Sequence, residues 1–167
     1  MFADYMAYSQ PLFSLNGIKT DGARRLIDIY WPWYLASGNI VIAMDMRSEQ
    51  IVGVLTGFDV GQWEDKIDQD AFDEWVEEQE GAEGMSNLQM GLIESLYNEH
   101  ERLKEDGRAT EDMYRCGGNI AVRRDVIQGN PEVGANMAFI WYKNCDNGGY
   151  KVAYMECYTQ YAQMVAD

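Results

Sequence analysis

Basic residues are scarce in this 167-residue chain. Thirteen Lys and Arg stand against 28 Asp and Glu, which leaves a formal net charge of −15. Coulomb repulsion then opposes binding to nucleic-acid phosphates and to anionic membranes, so neither is expected as a partner. Histidine occurs once, as His100 between Glu99 and Glu101, and reads as an exposed, carboxylate-flanked side chain. The three cysteines, Cys116, Cys145 and Cys157, are an odd set without close spacing. No disulfide framework is expected from them, and a reducing cytoplasm suits them best. Neither C-x-x-C nor H-x₃-H spacing is present, so no metal site is expected. No run approaches the roughly 18 apolar residues of a membrane span. The segment Met1–Tyr5 has neither a basic n-region nor a long apolar run, so no signal peptide is expected there. The Gly-Lys-Ser/Thr ending of a P-loop and the G-x-G-x-x-G of a dinucleotide fold are missing, which argues against nucleotide hydrolysis and NAD binding.

What is present is enough for one globular domain with a sizeable core. Hydrophobic residues make up 47% of the chain, and five Trp, eleven Tyr and ten Met argue against disorder despite the charge. The same negative balance favours a cationic partner, such as an amine or a Lys-rich peptide, and equally describes a well-solvated acidic surface.

Residues 1–18 read as helical with turns at Ser9–Leu12 and near Asn16-Gly17. Leu26, Ile27 and Tyr30 sit at helical spacing in Thr20–Trp31, and Pro32 is expected to end that helix. Asn39–Met46 and Ile51–Phe58 read as two strands of a hairpin joined by Arg47–Gln50. In the acidic stretch 59–84, Phe72, Trp75 and Val76 predict a short helix, broken between Gly81 and Gly84. Ser86-Asn-Leu-Gln89 has the form of a capping box that opens a longer helix, fading at Asp106-Gly107. Met113–Arg124 and Tyr150–Cys157 read as the third and fourth strands. Between them, Ile127-Gln-Gly-Asn-Pro-Glu-Val-Gly134 predicts a loop that empties onto the N-terminus of a helix over 135–147. Such a junction presents backbone N–H groups and a positive dipole end, which suits a phosphate.

This order of parts resembles the GNAT N-acetyltransferases, and in particular their arylalkylamine N-acetyltransferase-like branch. Ser9-Gln-Pro-Leu-Phe-Ser-Leu-Asn-Gly17 resembles that branch's helix–turn segment, and Ile51-Val-Gly-Val54 its third strand. The helix at 86–104 resembles its central helix. Ala153-Tyr-Met-Glu-Cys followed by Tyr158-Thr-Gln-Tyr161 resembles its fifth strand and substrate-side helix. The resemblance implies an α+β domain over residues 1–167, with a mixed, mainly antiparallel sheet flanked by helices. It further implies a V-shaped split between the strands at 113–124 and 150–157. Measured against that fold, the chain is short of the first strand before Met1 and of the last two after Asp167.

The activity implied is transfer of an acetyl group from acetyl-CoA, as co-substrate, to a small or arylalkyl amine. By the same resemblance, the Ile120-Ala121-Val122 backbone would pair with the pantetheine arm. Gln128, Gly129, Asn130, Val133, Gly134 and Ala135 would surround the pyrophosphate. Tyr161 would stand near the CoA sulfur as an acid, since a phenol can donate a proton there. Family loops read Arg/Gln-Gly-x-Gly-x-Gly/Ala; this one is a residue longer, with Pro131 lacking an N–H and Glu132 adding a like charge. Gln10 stands where the related turn carries a glutamate base. An amide cannot take that proton, though it can hold a water or orient an amine, and Glu156 is the candidate replacement. Two other readings stand beside the enzyme: a catalytically weakened relative acting through acyl-CoA or protein binding, and an acidic interaction or decoy protein. A homodimer is among the arrangements left open.

Overall fold

The computed structural model describes residues 3–4, 7, 10–59, 67–107, 115–150 and 152–155. A short helix α1 (Pro11–Leu15) leads into α2 (Thr20–Ser37), the hairpin β1 (Ile40–Asp45) and β2 (Gln50–Asp59), then α3 (Gln69–Glu78) and α4 (Ala82–Glu105). Strand β3 (Arg115–Val122), α5 (Arg124–Gly129), α6 (Glu132–Asn147) and β4 (Val152–Met155) follow. The fold is α+β. Its sheet runs in the order β1-β2-β3-β4, antiparallel across the first two pairs and parallel between β3 and β4.

Hydrophobic alternation along the strands builds a core on each side of this sheet. Val41 on β1, Leu55 on β2 and Ile120 and Val122 on β3 meet Met137, Ala138, Trp141 and Cys145 of α6. The helix comes close because Gly53 and Gly57 face it. A Cβ at Gly53 would stand 2.8 Å from Met137 Sδ, and one at Gly57 2.3 Å from Trp141 Nε1. The other core joins Phe13 and Ile18 to Leu26, Tyr30, Trp33 and Tyr34 of α2, and to Trp75, Ala82 and Met85 of the following helices. Ile40, the neighbour of Val41, packs against this second set, so the two cores lie on opposite faces.

Proline does not end α2: the helix runs through Pro32 to Ser37. A mid-helix proline costs about 3 kcal/mol, because it removes an N–H and crowds the preceding turn. Burial of the aromatic residues around it offsets that cost. Tyr30, Trp33 and Tyr34 are nearly fully buried, and Tyr30 stacks on Phe72 with ring centroids 6.3 Å apart. The long helix α4 likewise begins earlier than the Ser86 capping box implies. Gly81 takes the N-cap position with φ +83°, and Ala82 and Met85 are buried against the first helices. Burial of these residues thus sets the helix start ahead of the side-chain cap.

The hairpin turn is held by Asp45, which accepts from Arg47 N at 2.9 Å and Ser48 Oγ at 2.8 Å. Gly53 lies opposite Ala43 and Ile51 opposite Met44, which leaves Val52 as the extra residue of a β-bulge.

Candidate functional site

The expected cofactor residues lie along the end of β3 and the two helices after it. Ile120 and Val122 turn their side chains into the α6 core, while Ala121 is buried on the opposite face. Their backbone pairs on one side with β2, as Leu55↔Ile120, Val54↔Ala121 and Gly53↔Val122. On the other side, the parallel pairing with β4 runs from Arg115↔Val152 to Gly118↔Met155. Among the described residues no strand pairs with that side of Asn119–Val122. The expected V-shaped split would open at this point; its far wall, from residue 156, lies outside the described residues.

The connection after β3 is more ordered than a loop. Arg124–Gly129 forms helix α5, with Val126 and Ile127 packed against the α6 core and Gln128 and Gly129 exposed. An apolar pair at the centre of the six-residue turn supplies the burial that a glycine-containing sequence lacks in propensity. Asn130 then joins α5 to α6. Its N–H donates to Val126 O at 2.7 Å, and its carbonyl accepts from Val133 N at 3.4 Å. Its side-chain Oδ1 accepts from Glu132 N at 3.2 Å. Several of the N–H groups expected to face an anion therefore have internal partners. Val133 packs on the α6 core, Gly134 is buried, and Ala135 is exposed on the outer side of α6. Gly129 lies in open surroundings, with nothing within 4 Å of an added Cβ.

Electrostatics at this corner are mixed. Arg123, between β3 and α5, donates its backbone N–H to Val52 O at 2.8 Å, and its Nη1 donates to Gln50 Oε1 at 3.0 Å. Its guanidinium also pairs with the Asp125 carboxylate. That hydrogen-bonded pair raises the Arg123 pKa and lowers that of Asp125. Arg124 is exposed, and Glu132 lies in the first turn of α6, where its charge opposes an incoming anion.

Gln10 is placed elsewhere. It is 7% exposed and caps α1, with Oε1 accepting from Phe13 N at 3.2 Å. Phe13 belongs to the α2 core, whereas Ile120, Val122 and Val133 belong to the α6 core on the other face of the sheet. Glu156 and Tyr161 lie outside the described residues. Sequence reasoning did not anticipate a buried contact in which Asn39 Nδ2 donates to Cys145 Sγ at 3.0 Å, tying the start of β1 to α6. Nothing in the local sequence could have signalled it, since the partners are 106 residues apart.

Exposed carboxylates crowd α3 and its flanks, at Asp68, Asp70, Asp73, Glu74, Glu77, Glu78 and Glu80. Arg25 answers two of them, reaching Glu74 at 2.9 Å and pairing with Glu78. Among the described residues there is no His/Cys/Asp/Glu group that could hold a metal ion. Nor, among those residues, is any helix long and apolar enough to cross a membrane. Comparison with known proteins finds no matching family model, no matching curated protein and no matching solved structure.

Proposed function

We propose that this chain is an acyl-CoA-dependent N-acyltransferase of GNAT-like architecture, with acetyl-CoA as co-substrate and a small amine as acceptor. The observation that carries this reading is the change of strand direction at β3. Two antiparallel pairs are followed by a parallel partner reached through α5 and α6, an arrangement compatible with the mixed, mainly antiparallel sheet that the resemblance in sequence implies. In a parallel unit of this kind, ligands gather at the carboxyl ends of the strands, beside the N-terminus of the crossover helix. Here that corner is Ile120–Val122 together with Gln128–Ala135.

The amine nitrogen attacks the thioester carbonyl carbon, the C–S bond of the tetrahedral adduct breaks, the attacking nitrogen loses a proton to leave a neutral amide, and the CoA thiolate takes one up. Backbone groups of Ile120–Val122 orient the thioester, and Gln128, Gly129 and Asn130 line the diphosphate end. Tyr161 is assigned as the proton donor and Glu156 as the acceptor. Positioning and electrostatic stabilisation of this sort carry most of such a reaction.

A second reading is favoured by one specific feature. Asn130 occupies donors at the start of α6, Pro131 has none to offer, and Glu132 adds a negative charge there. A chain so arranged suits a relative that binds acyl-CoA weakly and acts through protein contacts. Calorimetric titration of the purified chain with acetyl-CoA at low salt separates the two. Saturable binding in the micromolar range, lost in Gly129→Trp, supports the transferase. Absence of binding up to millimolar acetyl-CoA overturns it in favour of the second reading. The Gly129 substitution is a fair probe because nothing within 4 Å obstructs a side chain there.

A further inference from the structure

Strand β1 is the terminal strand of the sheet, and β2 is its only strand neighbour among the described residues. One row of its backbone N–H and C=O groups therefore points away from the sheet. Folded proteins usually blunt such an edge with charge, proline or lysine, and Ile40–Met44 contains none of these. Side-chain alternation adds an apolar surface beside the edge. Ile40, Ile42 and Met44 share one face; Ile40 packs beneath α2, but Ile42 and Met44 are 54% and 52% exposed. Ile51, opposite Met44 in register, is 48% exposed.

Charge indicates what can cover this surface. Helix α2 ends at Ser37 with Gly38 as its C-cap and no basic residue in its last turn, so no cation within that turn offsets the negative end of its dipole. At the opposite end of β1, Arg47 is exposed and its guanidinium has no ion-pair partner among the described residues. An edge strand with a cation beyond one end and a helix C-terminus beyond the other is complementary to itself when the copies run antiparallel. In a chain of net charge −15, two copies can also approach most closely over an uncharged strip.

We propose that the chain forms a twofold homodimer in which β1 pairs antiparallel with β1 of a second copy. A twofold axis at Ile42 sets that residue against the second copy's Ile42 and Met44 against the second copy's Ile40. It also brings Arg47 to the second copy's Ser37, where α2 of that copy ends. The sheet becomes continuous across the pair, and the exposed isoleucine and methionine side chains are covered. This inference does not depend on the acyltransferase reading.

Sedimentation velocity of the full chain over a concentration series tests it. A monomer–dimer equilibrium is expected, and Ile42→Lys should raise the dissociation constant by about tenfold or more by placing an ammonium on the axis. Arg47→Glu should weaken the dimer in the same direction. Both positions are exposed, so the melting temperature measured on the monomer should stay the same. Hydrogen exchange supplies an independent readout: β1 amides should gain protection at concentrations where the dimer dominates. A chain that stays monomeric throughout, or a dimer indifferent to Ile42→Lys with no change in β1 protection, overturns the proposal. Pairing of β1 with a strand from another protein would appear as the first of these outcomes.

Discussion

The indole N–H of Trp75 donates to the carbonyl of Gly22 at 2.9 Å, in a fully buried contact between α3 and α2. Trp75 has no exposed surface and stacks on Phe72 with ring centroids 6.1 Å apart. One residue thus supplies both apolar burial and a polar anchor where the acidic helix α3 meets the core. Trp75→Phe keeps most of the first and removes the second. The expected loss is about 1 to 3 kcal/mol, read as a lower urea midpoint at unchanged slope. A variant as stable as the parent would mean that the hydrogen bond adds nothing beyond packing.

Gly81 and Gly91 should respond oppositely to the same substitution. Gly81 has φ +83°, and a Cβ there would stand 1.8 Å from the backbone oxygen of Asn16. Backbone cannot move aside as a side-chain tip can, so Gly81→Ala should cost at least about 2 kcal/mol. Gly91 lies inside α4 with nothing within 4 Å of an added Cβ, and Gly91→Ala should stabilise by up to about 1 kcal/mol. Urea unfolding of the two variants beside the parent checks both signs.

The contrast between these glycines shows where sequence reading succeeds and where it stops. Strand alternation in Ile40–Met44 and Ile51–Thr56 is a local signal, and the hairpin forms where it predicts. β4 stands where the expected order of elements puts a fourth strand, though its parallel direction had no signal in the sequence, and α3 follows the spacing of Phe72, Trp75 and Val76. Pro32 misleads because its penalty is local, while the burial of Tyr30, Trp33 and Tyr34 that outweighs it comes from elements distant in sequence. Gly81 and Gly84 read as a break; the chain does break between α3 and α4 at Gly81, an N-cap closely approached by Asn16, but Gly84 lies inside α4. Of the candidate site, the positions of Ile120–Val122 at the end of β3 were legible. The helix at Arg124–Gly129 was not, since it depends on Val126 and Ile127 finding the α6 core.

Asp45 gives the hairpin a pH dependence of known sign. Hydrogen bonds from the Arg47 backbone N–H and then the Ser48 hydroxyl hold its pKa below the ordinary 3.8. A carboxyl lowered on folding adds stability that is whole above the unfolded value and is lost as pH falls through the folded one. Asp45→Asn retains an acceptor but not the charge. The stability gap between parent and variant should therefore be present at neutral pH and close in acid below 3.8. Unfolding of both proteins at the two pH values checks it; a gap independent of pH would assign the effect to turn geometry alone.

Gln10 caps α1 on the face of the sheet opposite Ile120 and Val122, and two substitutions test whether it does anything more. Its Oε1 accepts from Phe13 N at 3.2 Å, so Gln10→Ala should destabilise by about 1 kcal/mol, as loss of an N-cap typically does. Gln10→Glu keeps an acceptor at that position and places negative charge at the helix N-terminus, where the dipole favours it. Burial of the side chain, 7% exposed, works against that charge, so its stability should stay near that of the parent. Turnover then carries the distinction. If a base is what the site lacks, Gln10→Glu should raise acetyl transfer to an amine, with a new acidic limb in the pH profile from the titrating carboxyl. Retained stability with no gain in turnover and no new limb would leave Gln10 as the cap of α1 and return the search for the base to Glu156.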